Sequence, residues 1–205
     1  MWNREPPFQM IRGARLPYGV YLAETWSRSE GKIAANISAE HILPLFDAFL
    51  ALCEPEEPMF LFLEAPCEME EEEDPEICTH KNVYYLDGCG RGQLRELLHS
   101  SAGELLIHDG MSAFGFGSLR SCLELGKYKY NQVLGYASPE RMERLAGIFT
   151  SLEIPQVPEI LSAWDLFTPK TTGLSEAIQV EGKDIYDLIR QLRELGLYLA
   201  EQKED

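Results

Sequence analysis

Residues 113–118 read AFGFGS, and this alternation leaves the chain few options. In extended geometry Phe114 and Phe116 share one face, while Ala113, Gly115 and Gly117 share the other. The two phenylalanines feed a core. The bare face opposite would admit another backbone, an aromatic ring or a ligand at close range. Just upstream, LIHDGMS sets His108 beside Asp109-Gly110. That pair suits a tight turn, because Gly tolerates positive φ and Asp bonds its own backbone. The spacing therefore predicts a β-hairpin over 106–118, with ELLIHDG (104–110) and MSAFGFGS (111–118) as its strands. A phosphate-binding loop would need these glycines at a strand-to-helix junction instead.

The remaining pattern extends this reading. GVYLAETWS (19–27), MFLFLEAP (59–66), HKNVYYLD (80–87), KYKYNQVLGYA (127–137) and AIQVE (177–181) read as strands. Helices are expected at 37–53, 92–101, 138–152 and 182–196. Pro44 belongs in a first turn, which would start the first helix near His41. Ser138 and Pro139 mark a helix start, and Gly196 a helix stop. Neighbouring strands with short turns imply antiparallel pairing and an α+β fold: a mostly antiparallel sheet with three to five helices packed on it. We read 1–205 as one domain. Helix-strand-strand occurs twice within 38–118, and a proline-punctuated linker at 153–173, with one helical turn at 160–167, leads to the last strand and helix.

Charge narrows the function classes. With 34 acidic against 18 basic side chains the formal net charge is -16. Such a chain repels nucleic acid and anionic lipid, and attracts a basic protein partner. From Ile33 to His80 there is no Lys or Arg, while Asp and Glu total thirteen. The run Glu70, Glu71, Glu72, Glu73 and Asp74 would lose several kcal/mol of hydration per charge if buried. It must be solvated, as a plain connection, a docking surface or a divalent-cation site. The N-terminus lacks the apolar core of a secretory signal, and no run approaches the ~18 apolar residues that cross a bilayer. The five cysteines (53, 67, 78, 89, 122) then read as reduced thiols in a cytoplasm.

No HExxH, GxSxG, Walker or EF-hand pattern is present, and no cofactor is implied. The residues nearest to a catalytic set are Cys89, which a helix N-terminus would activate, His80, His99 or His108 as base, with His108 the one carried into the set, and Asp87 or Asp109 as orienter. GCGRG (88–92) joins a strand to a helix, but its glycine spacing is not the dinucleotide fingerprint; a plain turn is the simpler account. Cys67, Cys78, His80 and Cys89 could ligate zinc, with spacings that match no common knuckle. In SAWDLFT, Trp164 and Phe167 share a face, either pinning the linker or offering a binding patch. KYKY (127–130) reads as an edge strand protected by lysines.

The strings DGMSAFGFGS, SAWDLF and GKDIYDLIRQLRELGLYLAE resemble, over the C-terminal half, an uncharacterised family of small acidic bacterial cytosolic proteins. The resemblance implies a bacterial, cytosolic origin and carries over no activity. Two functions stay open. One is a non-catalytic acidic module that binds a basic protein, as an immunity or antitoxin protein does. The alternative is a small-molecule binder or enzyme using the His108 hairpin and the Gly88–Gly92 turn.

Overall fold

The computed structural model describes residues 8–67 and 80–204. In chain order the elements are β1 (Ala14–Arg15), β2 (Thr25–Ser29), β3 (Lys32–Asn36), α1 (Ala39–Leu52), β4 (Met59–Pro66), β5 (His80–Cys89), α2 (Arg91–Leu98) and α3 (Ser101–His108). There follow β6 (Ala113–Ser118), β7 (Leu123–Lys127), β8 (Gln132–Ala137), α4 (Pro139–Ser151), α5 (Ala163–Leu166), β9 (Leu174–Ser175), α6 (Ile185–Glu194) and β10 (Tyr198–Glu204). Eight strands form one antiparallel sheet in the order β10-β5-β4-β6-β7-β8-β3-β2, and β1 pairs with β9. This is an α+β fold with helices packed on an antiparallel sheet.

Register assigns the faces. Leu61, Leu63, Tyr84, Phe114, Phe116, Leu125, Val133 and Ile33 share one side. The helices collect there. Phe46 of α1 packs on Phe114 and Phe116, with ring centroids 4.8 and 5.4 Å apart. Burying each of these three rings contributes on the order of 2–3 kcal/mol. α4 brings Leu145 against Gly135, and α6 holds Arg193 over the Tyr84 ring at 5.5 Å. In α6, Asp184 accepts from the amides of Tyr186 and Asp187, so the helix starts firmly on its buried Ile185, Leu188, Ile189 and Leu192. Gly196, at φ +106°, turns the chain from α6 into β10.

Several expectations are corrected. Residues 104–110 are not a strand, and Asp109-Gly110 is not a hairpin turn: α3 runs to His108 and Asp109 caps its end. Gly103 is what lets α2 and α3 meet, since a Cβ there would lie 1.9 Å from the Leu98 carbonyl oxygen. The hairpin exists one turn later, between β6 and β7. Strands β1, β3, β7, β9 and β10 have no counterpart among the strands expected from sequence, while 19–27 shrinks to β2. AIQVE is mostly irregular, with the Ile178 amide bonded to the Asp109 carboxylate. α1 begins at Ala39, so Pro44 lies in its second turn. The Ala39 amide is satisfied by the Gln9 carbonyl, which anchors the earlier start. KYKY is not an edge: Lys127 ends the interior strand β7, fully buried, its Nζ donating to the Asp109 carbonyl at 2.7 Å.

Candidate functional site

The second face of the sheet carries a different population. Phe60, Phe62, Glu64, Tyr85, Asp87, Glu124, Leu134, Tyr136, Lys32 and Tyr198 project to it, interleaved with Gly115, Gly117 and Gly126. Phe60, Phe62, Val83 and Ala113 are buried, yet stand outside the main core cluster. The glycines explain how. A Cβ on Gly115 would lie 2.2 Å from the Phe62 ring, one on Gly117 2.3 Å from Phe60, and one on Gly126 2.7 Å from Phe62. The two phenylalanine rings thus lie flat in a glycine groove, with Tyr85 5.6 Å from Phe60 and Tyr128 6.2 Å from Phe62. Tyr136 and Tyr198 remain 39% and 47% exposed. No helix among the described residues is laid across this surface; Trp164 of α5 reaches only its end.

The charges on it are mostly spoken for. Lys203 pairs with Glu64 at 3.2 Å, Tyr198 donates to Asp87 at 2.8 Å, and Lys32 sits over the Tyr136 ring at 5.8 Å. Glu124 differs. It stands between Gly117 and Tyr136 in register, is half-buried, and its carboxylate makes no hydrogen bond or ion pair among the described residues. Burial pushes its carboxyl pKa up. Burial, then the nearby Glu124 carboxylate, raises the Tyr85 phenol; burial, then Glu64 and Glu124, raises that of Tyr128. The face therefore offers neutral phenols around negative charge.

At the Glu64 end lies a cavity of about 140 Å³ lined by Glu64, Lys81, Met111, Ser112, Ala113, Tyr128, Lys129, Gln132 and Trp164. Ser112 is buried, and its Oγ has no hydrogen-bond partner among the described residues. The linker contributes Trp164 to the cavity's lining. Its backbone runs beside β2, pairing Pro155 and Val157 with Trp26, and Asn36 then holds the Leu161 carbonyl at 2.9 Å. Trp164, Phe167 and Tyr130 pack edge to face at 4.9–5.6 Å. Phe167 is half-buried there, whereas Trp164 is 54% exposed.

The residues singled out from sequence are dispersed. Glu70, Glu71, Glu72, Glu73, Asp74 and Cys78 lie outside the described residues, as does the His80 side chain. Cys67 follows Pro66, which pairs with Lys81, whereas Cys89 pairs with Met59 at the other end of β4. Eight residues of strand separate those ends, roughly 25 Å. Cys67 and Cys89 therefore cannot share a metal ion, and among the described residues no group of three or more His, Cys, Asp and Glu is arranged to hold one. His108 leads into β6 at the Glu64 end, far from Cys89, so these two and Asp87 form no catalytic set. Cys89 is not an activated thiol either: burial raises its pKa. Burial, then the Arg12 charge, lowers that of His108, whose Nδ1 accepts from the Arg12 amide at 3.4 Å.

The sequence reading missed the tyrosines and Glu124. One signal was available: MFLFLE is apolar at both strand parities, the mark of a strand covered on both faces. No family model, curated protein or solved structure matches the chain.

Proposed function

We propose that this protein is a binding module without catalytic chemistry that captures a basic protein partner on the second face of its sheet. The observation that carries this reading is a broad aromatic surface built around a carboxylate that has no partner among the described residues, on a chain of net charge -16. Aromatic groups supply contact area at low entropic cost, and acidic surroundings speed association with cationic clefts. A neutraliser of the immunity or antitoxin type works in this way, by occluding a basic site. A second copy is a poor occupant: it would set -16 against -16.

The test is titration calorimetry with an arginine-rich decapeptide, comparing Tyr136→Lys with Gln191→Lys. Both substitutions add one positive charge at an exposed position, the first on the proposed face and the second on α6. Tyr136→Lys is expected to weaken binding about tenfold, the effect of one unfavourable charge contact at ~1.4 kcal/mol, and Gln191→Lys by less than about twofold. Equal losses would mean that net charge, not this face, holds the peptide.

A further inference from the structure

Resting on that reading, the face must hold its partner's charge somewhere, and the register provides one place. Glu124 is flanked on β8 by Tyr136 and on β6 by Gly117, whose missing side chain is replaced by the Phe60 ring. Tyr85 leans on Phe60, and both Tyr85 and Tyr128 feel the Glu124 carboxylate. We propose that Glu124, Phe60, Tyr85, Tyr128 and Tyr136 form a receptor for one arginine side chain of the bound partner.

Three observations point to a cation. First, of the acidic groups that face this surface Glu64 is engaged with Lys203 and Asp87 with Tyr198, and Glu201 on the edge strand β10 is exposed, whereas Glu124 is half-buried and its carboxylate has no partner among the described residues. Second, the chain's own Lys32 already sits over the Tyr136 ring, so this ring accepts a cation. Third, a half-buried carboxylate walled by aromatic rings gains more from an incoming charge than an exposed one, because less water screens it. Guanidinium fits better than ammonium. It is planar, sheds water more readily, stacks on rings, and donates two parallel bonds to one carboxylate.

The experiment uses the full chain and the same arginine-rich decapeptide, with a twin carrying neutral citrulline at every arginine. Glu124→Gln is isosteric at a half-exposed position; Glu96→Gln removes one charge from an exposed position on α2, away from this face. The receptor predicts that E124Q weakens arginine-peptide binding about tenfold or more, the loss of one charge-assisted contact. It also predicts that E96Q stays within about twofold and that the citrulline twin binds wild-type protein at least about tenfold more weakly. The citrulline comparison needs no variant, so it stands even if E124Q unfolds. If E124Q and E96Q weaken binding equally, or citrulline binds like arginine, the receptor is overturned. Should Tyr136→Lys abolish binding while E124Q does not, the receptor falls and the docking reading stands. Absence of binding by the wild-type protein overturns both.

Discussion

At the scale of single residues, the second face is made by what three glycines lack. Side chains on Gly115, Gly117 and Gly126 would occupy the space of the Phe60 and Phe62 rings, so those rings would have to rise into solvent. A methyl at Gly115 meets both the Phe62 ring at 2.2 Å and the Leu125 carbonyl oxygen at 2.5 Å, and the second contact is backbone. Gly115→Ala is expected to destabilise the protein by about 2 kcal/mol, a fall of roughly 4–8 °C in Tm. Gly147→Ala, on the exposed side of α4 with open space around its Cβ, is expected to stabilise by up to about 1 kcal/mol. Thermal unfolding of both variants checks the opposite signs; a neutral or stabilising Gly115→Ala would contradict the groove. The alternation in AFGFGS makes a bare sheet face legible from sequence, including its fitness for an aromatic ring. That the ring comes from Phe62 is not legible, because β4 and β6 are far apart in sequence and only the sheet order joins them.

At the scale of elements, the junction between α3 and β6 is held by one side chain. The buried Asp109 carboxylate accepts from the amides of Met111, Ser112 and Ile178, while its carbonyl receives Lys127. The sequence reading saw a turn there and missed the helix before it. LLIH is short and apolar, and such runs fit helix or strand until packing decides; here Gly103 against α2 decides it. Lys127 was equally opaque, because a lysine in a strand usually marks an edge. Burial holds its ammonium pKa down to about 8 against an ordinary 10.5, with the Asp109 charge acting the other way. Between these values the unfolded chain binds the proton and the folded chain does not, so this group makes stability rise with pH over that window. Cys53, held up to about 11 by burial, contributes the opposite slope above about pH 9. The informative quantity is therefore wild type minus Lys127→Met, from urea unfolding at a series of pH values. That difference is expected to climb between pH 8 and 10.5; a flat difference would mean that the Lys127 pKa is not shifted in the folded state.

For the whole molecule, the architecture is a one-sided sandwich: α1, α2, α3, α4 and α6 on one face of the eight-stranded sheet, and aromatic rings with carboxylates on the other, with Trp164 of α5 at its end. The fold class was legible, because runs of strands with short connections permit little else. The strong acidity was legible too, although its densest run, 70–74, lies outside the described residues. Which face stays free of helices was not legible. β4 is apolar at both parities, and Phe60 and Phe62 look like core residues until the glycine groove explains their burial. No helix among the described residues is long and apolar enough to cross a membrane. The most direct measurement is the set of tyrosine ring and backbone amide NMR shifts of the full chain during titration with the arginine-rich decapeptide. The account predicts shifts at Tyr85, Tyr128, Tyr136, Tyr198 and Glu124, with the Trp26 indole on the helix side unmoved. Shifts confined to the helix side, or to residues 68–79, would contradict it.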